Sequence, residues 1–111
     1  MNGYIYLASP YSHVDPAVRV ARFNAACRAA AELMNAGATV FCPIAHSHPI
    51  SEAMGDKHVD HEFWMLQDLP LLHRSDGMCV LMLDGWLDSK GVQREIDYAL
   101  ANHIPVKYIR P

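Results

Sequence analysis

The sequence predicts an α/β chain: an open, doubly wound parallel sheet of four to five strands, covered by helices on both faces in three layers. Three observations carry that prediction. Short runs of β-forming residues alternate with longer stretches of helical period along the chain. The strongest run, Met78-Cys-Val-Leu-Met-Leu83, is apolar throughout, as a central parallel strand covered on both faces must be. With 111 residues there is room for one core, so residues 1–111 are expected to form a single domain.

The first strand is Tyr4-Ile-Tyr-Leu-Ala8, short and rich in β-formers, and it ends in the loop Ser9-Pro-Tyr-Ser-His-Val14. Asp15 followed by Pro16 is an N-cap with proline at the first helical position. The helix is expected to run to about Ala36, with Val18, Ala21, Ala25, Ala29 and Leu33 along its inner face, and Gly37 stops it. Thr39-Val-Phe-Cys42 reads as the second strand. Residues 44–59 lack a clear period and are rich in His, Pro and Ser, so a long binding loop with a short helical turn near Ser51 to Met54 is expected. Asp60 caps a second helix through about Arg74, kinked at Pro70. After the third strand comes the loop Asp84-Gly-Trp-Leu-Asp-Ser-Lys-Gly91, then a third helix from about Ser89 to Asn102 and a last strand, Val106-Lys-Tyr-Ile109. Right-handed crossovers between these strands give the order 2-1-3-4, a flavodoxin-like or Rossmann-like arrangement with its switch point between strands one and three.

Composition narrows the function. A net charge of −3 leaves no basic stripe for a long nucleic acid, although a single nucleotide needs only a few donors. Cys27, Cys42 and Cys79 form no CxxC pair and lie in apolar segments, which suits reduced core thiols in a cytoplasmic protein. The amino terminus enters a strand pattern without a basic region and apolar run, so no signal peptide is expected. The longest apolar runs are too short to cross a bilayer, and no membrane partner is expected. Exposed aromatic residues suit a homo-oligomer.

Ligands of such sheets bind beyond the carboxyl ends of the strands at the switch point. That rule brings the Ser9–Ser12 loop, with Ser9 and Tyr11, beside the loop 84–91 and the third helix. Ser89 and Gly91 at the helix start offer free N–H groups that favour an anion such as phosphate, unless Ser89 is simply a cap. Along the helix Val92, Ile96, Ala99 and His103 form the core stripe, and Asp97 points to solvent. Glu95 flanks that stripe. A carboxylate there is expensive unless it is used or paired, so it is expected to be partly buried, with its pKa raised by desolvation. Arg22, near the inner face of the first helix, is a candidate phosphate contact or a solvated cation.

His46, His48, His58, Asp60 and His61 cluster in sequence, but their spacing matches no zinc signature. A polar lid with one His at the substrate is expected, with no metal and no cofactor. Neither a nucleophile elbow nor a glycine-rich phosphate loop is present.

Several segments carry a resemblance. Ile5-Tyr-Leu-Ala-Ser-Pro-Tyr-Ser12, Asp68 in Gln67-Asp-Leu, Ser75-Asp-Gly77 and Ser89-Lys-Gly-Val-Gln-Arg-Glu95 with Ile-Asp-Tyr-Ala99 resemble the nucleoside 2-deoxyribosyltransferase superfamily. They follow the superfamily's order over nearly the whole chain. The Gly-Trp-x-x-Ser loop and the Trp64 to Leu72 segment are most similar to a bacterial family of unknown function within it. The resemblance implies that Glu95 attacks the anomeric carbon of a nucleoside or nucleotide, forming a glycosyl ester that another base or water then opens. It also implies that Asp68 assists through sugar or proton contacts, that Tyr6 orients the nucleophile, and that Ser89 binds a 5′-phosphate. Such a double displacement suits two carboxyl groups about 5 Å apart. Where the superfamily's first loop is often glycine-rich, Ser9-Pro-Tyr-Ser-His is bulkier, and the loop 84–90 is longer and carries Trp86, placed to stack on a base or to close as a lid. Two other classes compete: a sensor that binds a nucleotide or an ADP-ribose-like ligand without cleaving it, and an oligomerisation module whose crevice is filled by side chains.

Overall fold

Four parallel strands, Ile5–Ala8 (β1), Val40–Phe41 (β2), Gly77–Leu81 (β3) and Val106–Ile109 (β4), lie in the order β2-β1-β3-β4. The structure, a computed structural model, describes residues 3–55 and 61–111. The order is the one the alternating pattern predicts. The helices are Pro16–Asn35 (α1), Pro43–Met54 (α2), His61–His73 (α3) and Lys90–Ala101 (α4), with a 3-10 turn at Trp86–Asp88. None of the described helices is long and apolar enough to cross a membrane.

The pleat of the two central strands sorts their side chains into two cores. Tyr6, Ala8, Met78 and Val80 face α3 and α4, where they pack with Leu72, Val92, Ile96, Ala99 and Ile104. Leu7, Cys79 and Leu81 face the other way, onto Ala26 and Ala30 of α1 and Cys42. Each large side chain buried this way contributes roughly 1.5–3 kcal/mol of transfer free energy. The consequence for function is directional: Tyr6 emerges on the α4 side of the sheet, toward Glu95.

Local signals at the helix ends hold. The Asp15 carboxylate accepts from the Ala17 N–H at 2.9 Å with Pro16 opening α1, and Gly37 follows the C-cap with φ +102°. The Ser89 hydroxyl accepts from the Val92 N–H at 3.2 Å and caps α4.

Four expectations need correction. Residues 43–54 are helical, not loop: Pro43 takes the first helical position, and buried Pro43 and Ser47 seat α2 on the molecule despite Pro49, which leaves the Ala45 carbonyl without its helical donor. The inner face of α1 centres on Ala26 and Ala30, and Ala21 is exposed, because alanines all round that helix blur its period. His103 lies beyond α4, exposed and at φ +59°, so the core stripe ends at Ala99. The third strand stops at Leu81, two residues earlier than its apolar run. Asp60, expected as a cap, lies outside the described residues.

Candidate functional site

At the carboxyl ends of β1 and β3 a cavity of about 800 Å³ opens between the loop after β1, α2, α3 and the start of α4. Its size falls within the span of small-molecule sites, roughly 300–1,000 Å³. Of the residues singled out in the sequence, Ser9, Tyr11, Arg22, Asp68, Ser89, Gly91 and Glu95 line it.

Glu95 comes to the cavity because α4 is strongly two-sided: Val92, Ile96 and Ala99 bury one stripe, and Glu95 on its flank is carried inward with them. It is only 5% exposed, and the fully buried Tyr6 hydroxyl donates a hydrogen bond to its Oε2. Burial pushes the Glu95 carboxyl up to about 8; the Tyr6 bond opposes that rise, and the Asp68 carboxyl nearby adds to it. Tyr6 itself is held well above its ordinary value by burial, then by Glu95 and Asp68, so it keeps its proton and remains a donor.

Asp68, on the buried stripe of α3 with Met65 and Leu72, is likewise 5% exposed. Desolvation alone raises its carboxyl to about 7. Its Oδ1 has no hydrogen-bond partner among the described residues, and neither has the Oγ of buried Ser9. Two acids raised toward neutrality by a common pocket hold a proton between them near pH 7. Glu95, the higher of the two, holds that proton first; the form with the charge on Glu95 and the proton on Asp68 is the minor one, and the Tyr6 hydroxyl is the group that stabilises it. On the outer surface Arg94 of α4 makes a two-pronged ion pair with Glu62 of α3, at 2.6 and 3.2 Å, tying together the helices that carry the two acids.

Arg22 reaches across the cavity mouth as a strap. Its Nη1 donates to the Ser12 carbonyl at 2.9 Å and its Nη2 to the Asp84 carbonyl at 3.1 Å, joining the loops that follow β1 and β3. Gly85 fits beneath it: φ is +90°, and a Cβ there would stand 2.8 Å from Nη2. Gly85→Ala is therefore expected to cost about 1–2 kcal/mol in urea unfolding, from backbone strain and a displaced Arg22. A cost below a few tenths would show that the strap is not held.

One wall was not foreseen. The Tyr11 hydroxyl lies 2.5 Å from His48 Nδ1, and the His48 ring stacks on Phe23 with centroids 4.3 Å apart. The residues of this wall lie 37 and 25 positions apart in the chain, and only the tertiary fold unites them. The one sequence signal was that His48 belonged to a His-rich segment. Two placements differ from expectation. Trp86 lies outside the cavity, half-buried against the α3–α4 core with its ring 5.6 Å from Tyr108, because the 3-10 turn directs it toward β4. His46 is exposed and packs beside Phe41, whereas His48 and His61 line the cavity. Among the described residues no three His, Cys, Asp or Glu side chains gather as a metal site. His58, like Asp60, lies outside the described residues.

A family model described as "Domain of unknown function (DUF1937)" matches residues 3–110. The chain belongs to that family. No curated protein matches the chain. What this DUF1937 chain offers for chemistry is the cavity: a buried carboxylate with a phenol donor, a second acid coupled to it, and a buried Ser9 hydroxyl and Asp68 oxygen without partners among the described residues.

Proposed function

We propose that the chain cleaves or transfers the N-glycosidic bond of a nucleoside or nucleoside 5′-monophosphate through a glycosyl ester on Glu95, in the manner of the nucleoside 2-deoxyribosyltransferase superfamily. The observation that carries this reading is the buried Tyr6–Glu95 hydrogen bond with Asp68 close enough to raise the Glu95 pKa. A carboxylate kept apolar on most sides and steadied by one phenol is a poorly solvated nucleophile, suited to an oxocarbenium-like carbon.

The steps balance. A Glu95 oxygen forms a bond to the anomeric carbon while the bond to the base nitrogen breaks. That nitrogen keeps the electron pair and takes the proton of Asp68. Water or a second base then attacks the same carbon, and Asp68 recovers a proton from the incoming nucleophile. The ester bond breaks, returning Glu95 as carboxylate. Tyr6 stays protonated throughout and supports the charge on Glu95. Arg19, Arg22 and Lys90 on the cavity lining supply positive charge for a phosphate.

Incubating the protein with a panel of nucleosides and 5′-monophosphates, with and without acceptor bases, and reading free base by chromatography tests the proposal. Release of base from at least one member is expected. Saturable ligand binding without base release across the panel would instead make the protein a nucleotide sensor.

A further inference from the structure

Building on the glycosidic reading, we infer that the departing base stacks on the indole of Trp64, one turn before Asp68 on α3, and that Trp64 makes the site demand an aromatic leaving group. Two observations set this residue apart. Trp64 lines the cavity, half-buried, yet it packs into neither core, whereas Trp86 packs against the α3–α4 core. Its one ring contact among the described residues is with its neighbour Phe63, edge to face, with centroids 5.0 Å apart. A large ring left half-open in a concave site offers its apolar surface to a flat ligand.

The walls of the cavity bring the ligand to it. The lining takes residues of α3 only from His61 to Asp68, and residues of α4 only from Lys90 to Glu95. The two acids therefore mark the inner end of the cavity, and a group that reaches Asp68 along α3 lies over the turn that carries Trp64. Helix geometry joins the two side chains: residues four apart have Cβ atoms about 5–6 Å from one another, and side chains lean toward the helix start, so Asp68 leans over the Trp64 turn. His61 and Met65, by contrast, are turned to α4, where a Cβ on Gly91 would meet His61 Cε1 at 3.3 Å and Met65 Cε at 3.8 Å. Trp64, on the flank of that pair, is left to the cavity. The base and not the phosphate belongs there, because α3 carries no Lys or Arg and the cations of the lining, Arg19, Arg22 and Lys90, lie on α1 and α4. In the proposed reaction the base nitrogen takes its proton from Asp68, which holds the ring of that nitrogen beside Trp64. Stacking of this kind serves purines and pyrimidines alike, since every base has a π-face.

The chain has two tryptophans, so Trp86→Phe leaves Trp64 as the sole reporter. Its emission is followed on titration with AMP, GMP, CMP and UMP and with ribose 5-phosphate, which has no base; Glu95→Gln in the same chain keeps the glycosidic bond intact. A saturable change in emission is expected with a nucleotide, and none with ribose 5-phosphate at the same concentrations. In the Glu95→Gln background, Trp64→Leu is expected to weaken nucleotide binding about ten-fold or more by calorimetry, and Trp64→Phe, which keeps an aromatic face, to retain most of it. Tm should change little in either variant, because Trp64 packs into neither core. Nucleotide binding with no change in Trp64 emission, or unchanged affinity in a folded Trp64→Leu protein, overturns this inference and leaves the glycosidic reading standing. A base-dependent change in emission, with no base released from any nucleotide by the wild-type protein, overturns the glycosidic reading and leaves the stacking platform in place. Binding of no nucleotide by either method overturns both.

Discussion

Glu95→Ala is expected to lower base release by about a thousand-fold or more, because the ester through which the sugar passes can no longer form. Ligand affinity is expected to change much less, since the proposal assigns the contacts to base and phosphate to other residues of the cavity lining, such as Tyr11 and Arg22. Chromatographic rates together with calorimetric titration separate the two effects. Wild-type turnover in a folded Glu95→Ala protein would remove the nucleophile from the account. The Tyr6→Phe variant sharpens the point: it keeps the apolar body of the ring and deletes the one hydroxyl that donates to Glu95 Oε2. Its loss should be smaller, and it should fall on kcat more than on KM, because the donor's value rests on the charge carried by Glu95.

The buried acids also set how stability depends on pH. Burial raises Glu95 to about 8 and Asp68 to about 7, above the ordinary carboxylate values of 4.5 and 3.8. The folded chain therefore binds these protons more tightly than the unfolded chain. Their stabilising effect is complete below about pH 4 and is lost as pH rises through 7 to 8. Wild type is expected to lose stability over that interval. Glu95→Gln, which keeps an acceptor for Tyr6 but cannot ionise, is expected to be more stable than wild type at pH 8.5 by about 2–3 kcal/mol, with the difference shrinking toward pH 5. Thermal melts at a series of pH values check this. A Glu95→Gln protein less stable than wild type at every pH would mean that Glu95 is a paired, fully charged carboxylate in the fold.

These expectations show which parts of the molecule could be read from its residues. The parallel sheet was legible because β1 and β3 are apolar and punctuated by turn residues, and β4 was found at its observed bounds. Glu95 was legible because α4 separates its apolar and polar faces cleanly, so that a carboxylate on the flank stands out. Asp68 was a different matter. Leu66, Leu69, Leu71 and Leu72 surround it on α3, apolar residues spread round the whole helix, and its site role came only through resemblance to other sequences. The helix α2 was hidden because its His, Ser and Pro content is poor helix material, and packing of its buried face overrides that preference. The pairing of Tyr11 with His48 and Phe23, and the strap from Arg22 to two carbonyls, depend on approaches between distant segments that no local pattern encodes. Trp86 misled for the same reason: a loop tryptophan is equally able to cap a ligand or to pack, and here it packs beside Tyr108.

The central claim is that the sugar passes through a covalent bond to Glu95, and the stereochemistry of the product tests it most directly. With methanol present as a competing acceptor, the methyl glycoside formed can be isolated and its anomeric configuration read by nuclear magnetic resonance. Two successive displacements at one carbon restore the starting configuration, so retention is the predicted result. Inversion would show that the acceptor attacks the substrate directly, with Glu95 serving as a base and never as the nucleophile.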